Sequence, residues 1–281
     1  IVTSLAFRDR TLPLGASLRD GPALRHALVT SFFGAFLDRE ASLGDPDHVV
    51  VPTAELVSLE RVSLRAALFS PWTARPSDDF VLPFAPATAP ATPGSDAGTS
   101  HLCVADSEGN VLALTTTVNL YFGARVSAHG IVLNDEMDDF AREVGADNAF
   151  ALVGGAPNLP GPGRRPVSSM APTIVTVDGL PVFCAGASGG SRIPTAIVQA
   201  LVFALLLGDD AGAAVAHRRV HHQAHPDELV FEHGLDPRIV LGLEVRGHHT
   251  REIPNGANTQ ILRIFRDESG AIVAIEAASD L

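Results

Sequence analysis

Residues 99–120 read TSHLCVADSEGNVLALTTTVNL. Two runs rich in apolar and β-branched residues, SHLCVAD and VLALTTTV, flank a tight turn at Glu108-Gly109-Asn110. That pattern predicts an antiparallel hairpin. Downstream, TIVTVDGLPVFCAGA predicts a second hairpin turning at Asp178-Gly179, and Gly130 to Leu133 a further short strand. Glycine-rich Ser188 to Ser191 leads into a helix from about Pro194 to Leu207, with Pro194 suited to its first turn. Shorter helices are expected over 211–219 and 237–246, and two closing strands over 259–266 and 271–277. Upstream, 23–40 has helical spacing and stops at Gly44-Asp45-Pro46; 53–69 reads as a second helix, opened by Thr53 with Glu55 in its first turn. Between them and the first hairpin, residues 70–98 are dominated by proline, alanine, threonine and serine and read as a mobile linker or exposed loop, where a chain cut is easiest to accommodate. The Gly/Pro/Asn-rich stretch 145–166 is too long for a simple connection, and loops of that length are often lids. The whole predicts mixed α and β structure built on antiparallel hairpins, without internal repeats.

Composition narrows the function. With 281 residues, 46% hydrophobic and 19% charged, the chain makes one large or two small globular domains and is not disordered throughout. The net charge is −12, and apart from histidine every cationic side chain is arginine. Bulk charge therefore argues against nucleic acid or an anionic membrane as partner. Two cysteines, Cys103 and Cys184, exclude a disulfide framework; one bridge is possible, but both lie in strand-like apolar runs and read as plain buried thiols. No signal peptide is visible, and a chain that starts at Ile1 reads as processed or truncated. The apolar run Ala196 to Gly208 is too short to span a bilayer.

Five clusters can carry chemistry. Gly98-Thr99-Ser100-His101 joins the linker to the first strand; a threonine hydroxyl there is an ordinary turn residue, or a nucleophile whose base is its own α-amine, freed when the preceding peptide bond is cut. Asn134-Asp135-Glu136-Met137-Asp138-Asp139 is a solvated acidic turn or a site for a cation such as a substrate ammonium; its spacing does not fit a calcium loop. Arg164-Arg165-Pro166-Val167-Ser168-Ser169 is an exposed turn or a carboxylate or phosphate site. Gly186 to Arg192 is a strand-to-helix glycine turn suited to an anion or an oxyanion, without the lysine of a phosphate loop or the spacing of a dinucleotide fingerprint. His221-His222-Gln223-Ala224-His225 suggests a metal, but without HExxH spacing or a cysteine pair.

In this order the pieces resemble the γ-glutamyltranspeptidase family of N-terminal-nucleophile hydrolases. The matching stretches are Leu43 to Pro46, Thr99 to Leu102, Thr115 to Gly123, Asn134 to Phe140, Pro166 to Thr173, Gly189 to Ile193 and Ala277 to Asp280. The resemblance runs from about residue 22 to the end and implies an α+β fold, a four-layer αββα sandwich, with this chain the C-terminal part of a precursor whose N-terminal part is missing. It implies self-cleavage at Gly98–Thr99, giving 1–98, the end of the large-subunit segment, and 99–281, the small catalytic subunit. Thr99 is then the nucleophile of both self-cleavage and catalysis, and Thr117 the second hydroxyl beside it. Asn119, Glu136 and Asp139 bind the substrate's α-ammonium, Ser168 and Ser169 its α-carboxylate, and Gly189 and Gly190 hold the oxyanion. Phe150 stands where bacterial members with a lid loop carry a tyrosine.

The activity so implied is γ-glutamyl transfer and glutathione hydrolysis through an acyl-enzyme on Thr99. The expected partners are a γ-glutamyl substrate (glutathione and its conjugates), an amino-acid or peptide acceptor, and the chain's own cleavage products joined as a heterodimer; no nucleic acid, cofactor or metal is expected. Localisation by resemblance is periplasmic, extracellular or membrane-anchored. The alternatives are an amidohydrolase of the same fold, of the cephalosporin acylase or capsule-polymer transpeptidase type, a non-catalytic truncated fragment, and a metal-dependent hydrolase using His221, His222 and His225.

Overall fold

The computed structural model describes residues 1–12, 19–83 and 98–280. In chain order these form α1 (Val2–Thr11), α2 (Pro22–Ser42), α3 (Thr53–Leu56), α4 (Leu59–Ala66), β1 (Thr99–Ala105), β2 (Val111–Thr117), β3 (Ser127–Ala128), β4 (Ile131–Val132), β5 (Thr173–Val177), β6 (Leu180–Ser188), α5 (Ile193–Leu201), α6 (Ala211–Ala216), β7 (Val220–His221), β8 (Leu229–Glu232), α7 (Pro237–Glu244), β9 (Thr250–Ile253), β10 (Asn258–Arg266) and β11 (Ile272–Ser279). They gather into two compact units, each made of three separate stretches of chain.

The first unit takes its residues from 1–95, 135–168 and 220–254. Its centre is α2, whose run ALVTSFFGAFL is buried on nearly every side, as expected of a helix with apolar residues around its whole circumference. The charges on α2 are buried with partners. Asp38 accepts from Arg61 Nε at 3.0 Å and also pairs with Arg65, while Arg25 Nε donates to Asp20 at 2.6 Å. The single helix expected over 53–69 is two helices. Ser58 is extended, and its Oγ accepts from Arg61 N at 3.1 Å, capping α4 and ending α3 before it. The expected linker also starts later than composition suggests. Ser77 and Phe80 are buried in a 3₁₀ turn, and Ser77 N donates to Asp227 Oδ2 at 3.0 Å. The rest of that stretch, 84–97, lies outside the described residues. Residues 145–166 are packed into the body of this unit: Phe150, Leu152 and Val153 are buried and Ala151 is wholly so. Strands β7, β8 and β9 form a small sheet whose β8–β9 pair is parallel, joined through α7. This crossover was not expected from a sequence of hairpin signals.

The second unit takes its residues from 96–134, 169–219 and 255–281 and holds both predicted hairpins. A four-stranded antiparallel sheet runs β11-β10-β6-β5, and the β1–β2 hairpin forms a separate two-stranded sheet packed against β6 and β10. Cys184, Leu262 and Ile264 fill the space between the sheets with Cys103, Ala105, Val111 and Ala113 of the hairpin. Because side chains alternate along a strand, Phe183, Ala185 and Ala187 of β6 face the other way, where α5 packs. This makes β6 buried on both faces, which accounts for the unbroken apolar run VFCAGA. The helix expected over 194–207 begins at Ile193 and continues past Leu201 as a π-helical turn over Val202–Leu207. The stretch Gly190–Leu207 is apolar enough to cross a membrane by composition, but 72% of it is buried inside the protein, as in a core helix.

The cysteines are not the free thiols their apolar setting suggested. Cys103 of β1 and Cys184 of β6 form a disulfide, with Cα atoms 6.1 Å apart, that staples the hairpin to the larger sheet. The pairing brings together residues 81 positions apart, which spacing alone does not disclose.

Candidate active site

Register places the first pair of functional residues. Thr99 and Thr117 are directly opposite in the β1–β2 ladder, so their side chains share one face. Their Oγ1 atoms are 2.9 Å apart. Thr117 Oγ1 also donates to Gly98 O at 3.2 Å and accepts from Asn119 N at 2.8 Å. Thr117 has one hydroxyl proton, and Gly98 O can only accept, so the bond between the two threonines is donated by Thr99. Val118 N donates to the same Gly98 O at 3.1 Å. The carbonyl of the Gly98–Thr99 peptide therefore has two donors on its oxygen and the Thr99 hydroxyl beside it. Gly98 has φ +151°, and a Cβ there would stand 2.7 Å from Asn119 O, so no larger residue fits without a shift. Asn119, buried at φ +74°, holds the turn that supplies this contact.

The glycine turn at the end of β6 shares a cavity with Thr99. Gly189 (φ +137°) and Gly190 (φ +54°) curl the backbone into the concave form that gathers successive N–H groups. A Cβ on Gly189 would meet Gly256 O at 2.8 Å. Thr99, Tyr121, Gly189, Arg192 and Asn258 line one cavity of about 360 Å³ in this unit. Thr99 with the Thr117 hydroxyl behind it, and a glycine turn on the same cavity as Thr99, are groups that acyl transfer could use. Ser169, also expected to bind substrate, begins this unit's second stretch and is buried.

Glu136, Asp139 and Ser168 belong to the first unit, where they are brought together. Glu136 and Asp139 bracket one 3₁₀ turn. Burial pushes the Glu136 carboxyl above its ordinary range, against hydrogen bonds from Ser168 and Asp139 that lower it. A cation placed beside two adjoining carboxyls, one of them raised by burial, would favour their ionised state. Sequence reading missed the scaffold behind these groups. Asp139 O accepts from Asn148 Nδ2 at 3.0 Å and Asn158 Nδ2 at 2.9 Å, and Arg39 Nη2 donates to Val167 O at 2.9 Å. Burial holds the Arg39 guanidinium down at about 10 in spite of Asp139. These residues sit in a helix and a loop with no motif of their own; what could have flagged them is polar side chains amid stretches with high burial.

The other clusters have structural partners. Arg165 Nη2 pairs with Asp45 at 2.6 Å. The three histidines diverge: His221 reaches Gln223 (3.1 Å), His222 pairs with Asp227 (3.1 Å), and His225 lies between Asp78 (3.0 Å) and Glu40 (3.3 Å). Among the described residues, the one grouping with metal-ligand spacing is His101, Cys103 and Cys184, whose sulfurs are committed to the disulfide.

Known proteins resemble the chain over most of its length. The family model described as Gamma-glutamyltranspeptidase matches residues 11–281. A glutathione hydrolase proenzyme of Escherichia coli is 39% identical over 235 residues, covering 83% of this chain and 40% of its own. One from Pseudomonas aeruginosa is 36% identical over 261 residues, covering 91% and 44%. The chain thus spans less than half the length of these curated relatives. Among solved structures, gamma-glutamyltranspeptidase of Pseudomonas nitroreducens aligns with a TM-score of 0.58 at 37% identity, over 64% of this chain and 93% of that one. A cephalosporin acylase of Bacillus halodurans aligns with a TM-score of 0.74 over 99% of this chain and 48% of that one, at 18% identity, and shares the fold. An α+β chain matched by the family model from residue 11 to its end, with a threonine pair around a single glycyl peptide, belongs to the gamma-glutamyltranspeptidase family of N-terminal-nucleophile hydrolases.

Proposed function

We propose that this chain is the C-terminal part of a self-processing γ-glutamyl transferase and glutathione hydrolase, cut at Gly98–Thr99 into 1–98 and 99–281 that remain joined as a heterodimer. The observation that carries this reading is the Gly98 carbonyl, held by Val118 N–H and the Thr117 hydroxyl next to Thr99 Oγ1. Thr99 Oγ1 attacks the Gly98 carbonyl carbon while its proton passes to Thr117 Oγ1 and the Thr117 proton passes on to the Gly98 oxygen. The negative charge that develops on that oxygen during attack meets the two donors it already has. As the carbonyl reforms and the C–N bond breaks, the proton on the Gly98 oxygen is returned to the Thr99 nitrogen, and water then hydrolyses the ester to a Gly98 carboxylate and a free Thr99 hydroxyl and amine. That amine is the base that a threonine hydroxyl otherwise lacks. In turnover the same Oγ1 attacks the γ-glutamyl amide, with the oxyanion at Gly189 and Gly190. The amine departs with a proton, and water or an amino-acid or peptide acceptor takes the acyl group.

Glu136 and Asp139 for the ammonium, with Ser168 for the carboxylate, favour a γ-glutamyl donor such as glutathione or its conjugates over the acyl groups of related amidohydrolases, in keeping with the glutathione hydrolase names of the relatives. Asn119 and Ser169 complete the two sets. The disulfide supports an oxidising location, periplasmic, extracellular or membrane-anchored on the outer side. Intact mass after incubation at neutral pH, with Thr99→Ala in parallel, tests the first step. Two fragments from the wild type alone are expected; one uncut chain in both would overturn it. For the substrate, Asp139→Ala is expected to raise KM for a γ-glutamyl anilide and leave self-cleavage intact. Equal loss of both would point to misfolding instead of recognition.

A further inference from the structure

The ammonium and the carboxylate of a γ-glutamyl group are bonded to one carbon. Their receptors must therefore keep a fixed separation, yet Glu136 and Asp139 lie about thirty residues from Ser168 in the chain. One side chain spans the gap. Asn158 Nδ2 donates to Asp139 O at 2.9 Å, and Asn158 Oδ1 accepts from Val167 N, the neighbour of Ser168, at 3.0 Å. Its own carbonyl accepts from Ala141 N at 3.0 Å, so the acidic turn is held at two points. Asn158 is 8% exposed, so water does not readily substitute for either bond. Further contacts stiffen the frame: Asn148 on Asp139 O, and Arg39 on Val167 O. Only an amide of this length offers a donor on one side and an acceptor on the other.

We infer that Asn158 is a positioning residue that locks the ammonium-binding turn and the carboxylate-binding turn into one receptor, so that each charge of the substrate is bound better when the other is present. The inference rests on the proposed γ-glutamyl reading. It adds a source of specificity that is not in any group touching the substrate. Without Asn158 the two turns still carry their charged and hydroxyl groups, but each moves without the other.

A four-ligand cycle on the full chain tests this without turnover. Dissociation constants are measured by calorimetry for L-glutamate, glutarate (no ammonium), 4-aminobutyrate (no α-carboxylate) and butyrate (neither). The ratio of the product of the two singly truncated constants to the product of the other two reports the coupling of the charges. In the wild type a coupling of tenfold or more is expected, and in Asn158→Leu a value near one. Asn158→Asp, which keeps the size but loses the donor to Asp139 O, is expected to behave as Asn158→Leu does, and gives the answer if the leucine variant does not fold. Equal coupling in wild type and variants overturns the role of Asn158, as does a loss of affinity by the same factor for all four ligands. If the wild type binds L-glutamate no better than butyrate, the γ-glutamyl reading fails, and this inference with it.

Discussion

Thr99 Oγ1 lies 2.9 Å from Thr117 Oγ1, and the bond between them is donated by Thr99 because the Thr117 proton is committed to Gly98 O. If Thr99 is the nucleophile, its proton already has Thr117 Oγ1 as its acceptor. Thr117→Ala removes both that acceptor and one oxyanion donor. Loss of one such donor typically costs 10²–10³-fold in rate. Self-cleavage of Thr117→Ala is therefore expected to slow by about 100-fold or more, with Thr117→Ser close to wild type. The measurement is fragment mass against time, and wild-type kinetics in Thr117→Ala would remove Thr117 from the step.

The Cys103–Cys184 disulfide closes a loop of 81 residues between two packed sheets. Its removal, by Cys103→Ser with Cys184→Ser or by reduction, is expected to lower stability by about 2–5 kcal/mol. Urea unfolding with and without reductant reads this directly. An unchanged midpoint would mean that the sheets are held by apolar packing alone.

Asp280 is the acid of the terminal Ala-Ala-Ser-Asp stretch, and its role is visible in the second unit. Asp280 Oδ2 accepts from Arg219 Nη1 at 2.6 Å and Thr259 N at 2.8 Å, while Arg219 Nη2 donates to Ala257 O at 3.0 Å. Ala257 lines the same cavity as Thr99. Asp280→Ala removes a carboxylate paired with a buried guanidinium and is expected to cost about 3–5 kcal/mol. Asp280→Asn, which keeps an acceptor, is expected to cost less. Equal costs in denaturant melts would point to a packing defect and not to the charge.

His26 Nδ1 and His248 Nε2 are 2.7 Å apart in the first unit. Burial, then His26 and His222 beside it, hold His248 down at about 3; burial, against a bond to Ser70 O, lowers His26 as well. Both bind protons later in the folded chain than in the unfolded one, so stability is full above pH ~6.5 and is lost as pH falls toward 3. The slope is about 1.4 kcal/mol per pH unit for each histidine left neutral. His225 has the opposite sign. Burial lowers it, but Glu40 and Asp78 more than offset that, so its contribution is present below pH ~6.5 and fades as pH rises through its raised folded value. Unfolding midpoints between pH 7 and 4 are expected to fall, and His248→Gln to flatten the fall; a parallel decline in both proteins would assign it to other groups.

The hairpins were legible because each has alternating or β-branched runs around a turn with a glycine, and the opposed threonines followed from that register. The long buried helix was legible from its apolar spacing. The break at Ser58 was not, because a cap competes with helix continuation by a single hydrogen bond. Strands β8 and β9 have four residues each, too few to show a period, and their parallel pairing depends on α7 between them. The acidic turn, the serine pair and the glycine turn were legible as motifs. Their support from Asn148, Asn158 and Arg39 was not, since isolated polar residues acquire meaning only through burial.

The interleaving of the chain bears on what a cut at Gly98–Thr99 does. The first unit joins residues before that bond to residues well after it: Glu40 with His225, Asp45 with Arg165, Ser77 with Asp227, His26 with His248. Both cysteines follow the bond, so no covalent link would remain between the products. Such a cut would leave the first unit built from both products. Each product alone lacks half of that core, like the halves of a split reporter, and separating them requires unfolding it. A chain organised in this way tolerates breakage because its topology, not its backbone, keeps the pieces together.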